Sequence, residues 1–125
     1  MAAGDIKYEY ALWLLPVARA AAADISKGQL VSLSGGAPAA AGDHAPFGVA
    51  IEDIASGEDM RGKVVISGVV EVVAGGPISA LSYVKAGDGG RVVDFVEGTD
   101  AESLIAGIAL DSASGDGDVI RLLLR

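Results

Sequence analysis

The sequence predicts an all-β fold, a small β-barrel or sandwich, on three observations. The 125-residue chain contains 18 glycines, which suits many tight turns, and 51% of its residues are hydrophobic, enough for a real core. Short apolar stretches alternate with turns rich in Gly and Asp, as strands and hairpins do. The stretch 47–57 also recurs at 106–115, which indicates an internal repeat. No stretch has helical periodicity over three turns.

The repeat consists of a short strand, an acidic turn and a second apolar strand. Its first strand carries Gly48 in one copy and Gly107 in the other, 59 residues apart. A second match relates Ile25 to Ile78, 53 residues later. We therefore expect two equivalent halves, each with a strand, a glycine turn, a strand, an acidic turn and a strand. Two such halves closing on each other give a small β-barrel or sandwich of pseudo-twofold character.

Two glycine positions predict how individual strands bend or turn. The run 64–73 is nearly continuous in apolar residues, and Ser67-Gly68 within it predicts a bulge or a bend. Asp88-Gly89 separates the strand-like stretches 82–85 and 91–96, which predicts a hairpin because both turn positions tolerate positive φ.

Residues 1–23 differ from the rest, and we expect an extended N-terminal arm ahead of a β domain at 24–125. The segment is almost free of glycine, and Pro16 would interrupt a helix. Its acidic start argues against a secretory signal. The alternative is a first strand packed on the core of the domain. Large side chains in this segment are the candidate contacts with a partner or a neighbouring subunit: Tyr8, Tyr10, Leu12, Trp13 and Leu14.

The sequence predicts no catalytic site, metal centre or cofactor, so we expect the protein not to be an enzyme. Cysteine is absent, and the single histidine, His44, lies among small loop residues. The acidic turn 111–118 lacks oxygen ligands where a calcium loop needs them, and solvated turns are the favoured interpretation. A small hydrolase that uses the acidic turns is the weakest alternative.

The charge and length of the apolar stretches exclude two kinds of partner. The net charge of −8 argues against direct binding of nucleic acid, which needs clustered Lys and Arg. The apolar run near the N-terminus is too short to span a membrane.

Three stretches carry a family resemblance: Ile-Ser-Lys-Gly-Gln-Leu-Val at 25–31, Phe-Gly-Val-Ala-Ile-Glu-Asp-Ile-Ala-Ser-Gly at 47–57, and Ile-Ala-Gly-Ile-Ala-Leu-Asp-Ser-Ala-Ser-Gly-Asp-Gly-Asp-Val-Ile-Arg-Leu at 105–122. Through them the chain resembles the capsid cement, or head decoration, proteins of tailed bacteriophages over about residues 24–125. The resemblance implies a compact β-barrel-like domain, called a β-tulip, that is usually trimeric.

The same resemblance implies where the protein acts. Trimers would sit on the outer surface of the virion, bind the major capsid protein of an HK97-like icosahedral shell, and reinforce it. The N-terminal arm would reach onto neighbouring subunits. We therefore expect a non-enzymatic trimeric decoration protein that stabilises a phage capsid. The alternative is a β-sandwich module that binds glycan or a host surface.

Overall fold

A computed structural model describes residues 12–124. Within this range there are nine strands, no α-helix and two short 3-10 turns. In chain order the elements are β1 (Trp13–Leu14), β2 (Leu30–Ser32), β3 (Ala37–Pro38), β4 (Phe47–Ala50), β5 (Val64–Val73), β6 (Tyr83–Ala86), a turn (Asp88–Gly90), β7 (Val92–Asp94), a turn (Glu102–Leu104), β8 (Ile105–Ala109) and β9 (Val119–Leu124). The all-β prediction is confirmed.

The strands form one antiparallel sheet in the order β3-β2-β4-β5-β9-β8-β6-β7, with β1 also paired to β5. The sheet curls so far that the β6–β7 turn reaches the strands at its other end. The N–H of Gly90 donates to the Ala39 oxygen at 2.9 Å, and Gln29 Nε2 donates to the Gly89 oxygen at 3.0 Å. These bonds satisfy backbone groups that would otherwise lie on open edges.

The bend predicted at Ser67-Gly68 is confirmed, and it divides β5 into two parts with different partners. Gly68 has a φ of 116°, a conformation that favours glycine. Before the bend β5 pairs with β1 and β4, and after it with β9. Val65 and Val70 contact the same core although they are an odd number of residues apart, so the alternation of faces shifts at the bend.

The hairpin predicted around Asp88-Gly89 is also confirmed, since β6 and β7 pair up to Ala86 and Val92. The left-handed conformations fall at Gly89 and Gly90, each with a φ of 72°, and not at Asp88. The reason is that the connection is longer than a two-residue turn and passes through a 3-10 turn.

The internal repeat is present in the pairing of the strands. We call the part from β1 to the first half of β5, residues 13–67, the first copy, and residues 68–124 the second copy. Val31 pairs with Gly48 in the first copy, and Val84 pairs with Gly107 in the second, at the predicted offsets. The order of strands therefore reads the same from either end of the sheet.

The first copy includes residues 13–23, which hydrogen bond in the same way as their counterparts in the second copy. Ala21 donates to the Glu58 oxygen at 2.8 Å and accepts from the Gly57 N–H at 2.7 Å. Ala74 makes the matching two bonds with the second acidic turn, at 2.8 and 2.9 Å. From residue 13 onward the segment is thus hydrogen bonded to the domain, with strand pairing at Trp13–Leu14 and buried side chains at Leu15 and Ala21. Residues 1–11 lie outside the described residues, and the division of the chain at residue 23 stays a prediction.

The core has two parts. The larger fills the curled sheet and takes side chains from both copies, among them Val49 and Val65 from the first and Val72 and Leu122 from the second. The smaller belongs to the first copy alone and consists of Leu15, Ala21, Ile25, Val31, Ala50, Ile54, Met60 and Val64.

Candidate interaction surfaces

The most exposed aromatic side chain that the structure describes lies on β1. Leu12, Trp13 and Leu14 expose 43%, 70% and 39% of their surface, and we call them the Trp13 patch. Contiguous apolar surface on a soluble protein often marks an interaction site. The patch contains three of the five contact residues predicted from the sequence. The other two, Tyr8 and Tyr10, lie outside the described residues.

The backbone beneath the Trp13 patch is fixed to the domain. Trp13 pairs with Ser67 on β5, and Leu15, only 8% exposed, donates its N–H to the Val64 oxygen at 2.8 Å. A few residues on, the guanidinium of Arg19 donates to the backbone oxygen of Ser34 at 2.6 Å. A side chain held on an ordered strand loses less conformational freedom when it binds than one on a loose tail.

Carboxylates of the acidic turns are engaged in hydrogen bonds with basic side chains. Both oxygens of Asp111 accept hydrogen bonds from the guanidinium of Arg121, at 3.0 and 2.8 Å. These side-chain bonds, aided by the Arg121 backbone N–H, lower the pKa of Asp111 to about 2. In the first copy, Lys63 Nζ bonds Glu58 at 2.8 Å and lowers the pKa of that carboxyl. These acids therefore tie each turn to the residues that follow it.

Other acidic and histidine side chains are likewise structural. Asp118 accepts bonds from both the N–H and the hydroxyl of Ser114, at 2.7 and 2.9 Å. His44 is exposed, and its Nδ1 lies 2.6 Å from Ser103 Oγ, which ties the loop after β3 to the turn before β8. Among residues 12–124 no three His, Asp or Glu side chains are grouped so that they could hold a metal ion.

An open groove lies beside β6 and was not predicted from the sequence. Tyr83 and Phe95 meet edge to face, with ring centroids 6.3 Å apart, and carboxylates of Glu97 and Glu102 also line it. At its base Asp100 bonds Lys85 at 2.7 Å, which lowers the pKa of the Asp100 carboxyl. These residues come from separate stretches that only the pairing of the strands brings together. The two aromatic residues were the one available signal, in a chain with few aromatics.

No helix in the described part of the chain is long and apolar enough to cross a membrane.

Comparisons with known proteins agree with this architecture. The sequence matches the family model for phage cement proteins over residues 14–124, a range that spans both copies. The fold is similar to the crystal structure of the head fiber gp8.5 N base in bacteriophage phi29, with a TM-score of 0.67 and 21% sequence identity. That similarity covers 90% of this chain and 95% of the other, and at this identity it concerns the fold. Comparison with curated proteins gives no match.

Proposed function

The chain belongs to the phage cement protein family, which gives it a structural role at a phage capsid, and we propose that it decorates the head as a trimer and stabilises the shell. In this proposal the trimers bind the major capsid protein of an HK97-like shell from outside. The protein acts without a cofactor and without direct contact with the packaged nucleic acid. It is not an enzyme, because its work is to add contacts between capsid subunits.

The proposed contact with the capsid rests on the exposure of the Trp13 patch. A cement protein needs apolar surface that stays exposed until the shell covers it. Trp13, 70% exposed, fits that need, since buried aromatic anchors often dominate the free energy of an interface. Leu12 and Leu14 flank it, and we place Tyr8 and Tyr10 in the same contact. A trimer offers three patches at once, so a modest contact at each gives strong overall binding.

The acidic turns support the same role in a different way. Carboxylates that already bond Arg121, Lys63 and Ser114 are ordered parts of the scaffold. With a net charge of −8, the surface is expected to repel nucleic acid and to keep the free protein soluble.

The test measures occupancy of undecorated, expanded capsids against the concentration of added protein. Trp13→Ala should weaken binding roughly 30-fold per site, because truncating a central aromatic anchor costs about 2 kcal/mol or more. Val119→Ala is the control against a nonspecific loss of exposed apolar surface, since Val119 is 61% exposed and lies on β9, which does not pair with β1. In that control the affinity of each single site for the shell should stay near the wild-type value.

Two outcomes would contradict the proposal. If Trp13→Ala binds capsids as the wild type does, the contact lies elsewhere on the domain. If the wild type leaves capsids bare, the alternative of a module that binds glycan or a host surface takes precedence. Shell stabilisation is read separately, as a rise in the temperature at which decorated capsids open.

A further inference from the structure

Equivalent side chains of the two copies have different surroundings. In the first copy, Leu30, Val49 and Val65 lie in register across β2, β4 and β5. All three are 0% exposed, because they belong to the larger core and share it with side chains of the second copy. This row of the first copy is therefore covered by the second copy of the repeat within the same chain.

The matching row of the second copy is only partly buried. Tyr83, Ile108 and Leu123 lie in register across β6, β8 and β9, at the positions equivalent to Leu30, Val49 and Val65. Val69 on β5 continues the row beyond Leu123 and is also only partly buried. We call Tyr83, Ile108, Leu123 and Val69 the second-copy row. An apolar row in register over four strands is the kind of surface that packs against another β structure.

Leu81, close to this row, is a second and independent observation. Its φ is 64°, a left-handed conformation that a leucine rarely adopts, and its side chain is 75% exposed. The equivalent residue of the first copy is Gly28, with a φ of 89°. Both residues donate the same backbone bond, Leu81 to Ala109 and Gly28 to Ala50. The second copy thus carries a strained, exposed leucine where the first copy has the glycine that this conformation favours.

We propose that the second-copy row, together with Leu81, is the face by which one chain binds another copy of the same chain. The proposal rests on the trimer in the proposed function and names the surface that builds it. The occupant is another molecule of the same chain. The equivalent row of the first copy is already covered within its own chain, by side chains of the second copy. Burial of the Leu81 side chain between assembled chains compensates for its strained backbone conformation.

The contact joins this face to a different surface of the neighbour, as a closed ring of three requires. The face is bordered by the carboxylates of Asp94, Glu97 and Glu102. Two such faces meeting each other would bring these like charges together, which is unfavourable. The neighbour therefore presents another part of its surface.

The sharpest test is Leu81→Gly, which restores the residue of the first copy. The substitution removes both the strain and the exposed side chain, so the isolated chain should keep its fold and should not become less stable. Self-association, measured by sedimentation equilibrium of the purified chain, should nevertheless weaken at least 10-fold. If association is unchanged, Leu81 is not in the contact and the proposal fails.

Ile108→Lys tests the row itself, with Val119→Lys as a matched control. Val119 is 61% exposed and lies on the same strand as Leu123, about 13 Å along it at the usual rise of a strand. Ile108→Lys should give a folded monomer, checked by circular dichroism, and Val119→Lys should remain assembled. Loss of assembly in both variants, or in neither, would overturn the assignment of this face.

The chain has no cysteine, so a single introduced cysteine reports on symmetry. Oxidised Ile108→Cys should give no disulfide-linked dimer, since residue 108 of one chain does not meet residue 108 of the next. An efficient dimer would mean that two identical faces meet, contrary to the proposal.

The failures are distinguishable. If the wild type is monomeric both in solution and on the shell, the trimer of the proposed function and this proposal are both wrong. A wild-type trimer that persists in Leu81→Gly and Ile108→Lys removes this face alone and leaves the proposed function standing.

Discussion

At the scale of single residues, Gly48 and Gly107 explain why the repeated strands are recognisable in the sequence. A Cβ at Gly48 would meet Val64 Cγ1 and, at 2.9 Å, the Val65 oxygen, and one at Gly107 would run into the Leu123 oxygen. Each glycine lets its strand lie close to the next. Gly107→Ala and Gly48→Ala should each lower the free energy of unfolding by about 1–3 kcal/mol through overpacking.

Urea unfolding checks this prediction, with Gly115→Ala as the control. A Cβ at Gly115 has no atom within 4 Å, so that variant should stay within about 0.5 kcal/mol of the wild type. If the two strand variants were as stable as this control, the close approach of the strands would not be the reason for the glycines.

Asp111 predicts how stability responds to acid. Its pKa falls from the ordinary 3.8 to about 2 because of Arg121, so the folded state holds the charged form more strongly than the unfolded state does. This contribution is fully present above about pH 5 and is lost progressively as the pH falls through about 2. Asp111→Asn should therefore lose less stability than the wild type between pH 4 and 2.

The measurement is the urea midpoint at several pH values, repeated in an Arg121→Met background. With no guanidinium to bond, Asp111→Asn should change the pH response much less in that background. An equal effect in both backgrounds would assign the acid response to a cause other than the pair.

At the scale of elements, the exposed Trp13 patch on β1 is followed directly by a buried side chain, that of Leu15. Leu15 is 8% exposed and belongs to the smaller core, whereas Val17, two residues later, is 60% exposed. Leu15→Ala should cost about 2 kcal/mol, near the low end for a buried leucine because the site lies at an edge. Val17→Ala should change stability by less than about 0.5 kcal/mol.

Thermal and urea unfolding of the two variants distinguish an integral strand from a loose arm. Equal stability in both would mean that residues 13–23 contribute little to the fold. If the expected difference is found, truncation through residue 15 would damage the domain. Point changes such as Trp13→Ala are then the suitable probes of capsid binding.

The sequence predicted elements whose signal is local and missed those that depend on distant pairing. Gly68 interrupts an apolar run, so the bend in β5 was visible, and the repeat predicted which strands are equivalent. The run 12–15 has four consecutive large apolar residues, so alternation could not tell that Leu15 is buried and Trp13 exposed. The short strand Ala37–Pro38 was not predicted, because two residues carry no periodicity.

The candidate surfaces divide in the same way. Trp13 was identifiable because aromatic residues are few and this one stands beside leucines. The second-copy row was not, because Tyr83, Ile108 and Leu123 become neighbours only through the register of β6, β8 and β9. The repeat relates each position of one copy to a position of the other, so such a row can be identified by comparing the two copies.

At the scale of the whole molecule, the two copies depend on each other. They share β5, whose halves belong to different copies, and the larger core mixes side chains such as Val49 from the first copy with Leu122 from the second. Neither copy can open without exposing apolar surface of the other. The molecule is therefore expected to unfold in one cooperative step, although its sequence is a repeat.

Leu122→Ala tests this coupling, because Leu122 is 0% exposed and lies in the second copy. The substitution should lower the free energy of unfolding by about 2–5 kcal/mol. Native-state hydrogen exchange should show the slowest amides of β4 and of β8 losing protection by the same amount, since both exchange through global unfolding. Val119→Ala, at a 61% exposed position of the same strand, should leave protection in both copies nearly unchanged. If Leu122→Ala weakens protection in β8 and spares β4, the copies unfold independently and the shared core does not couple them.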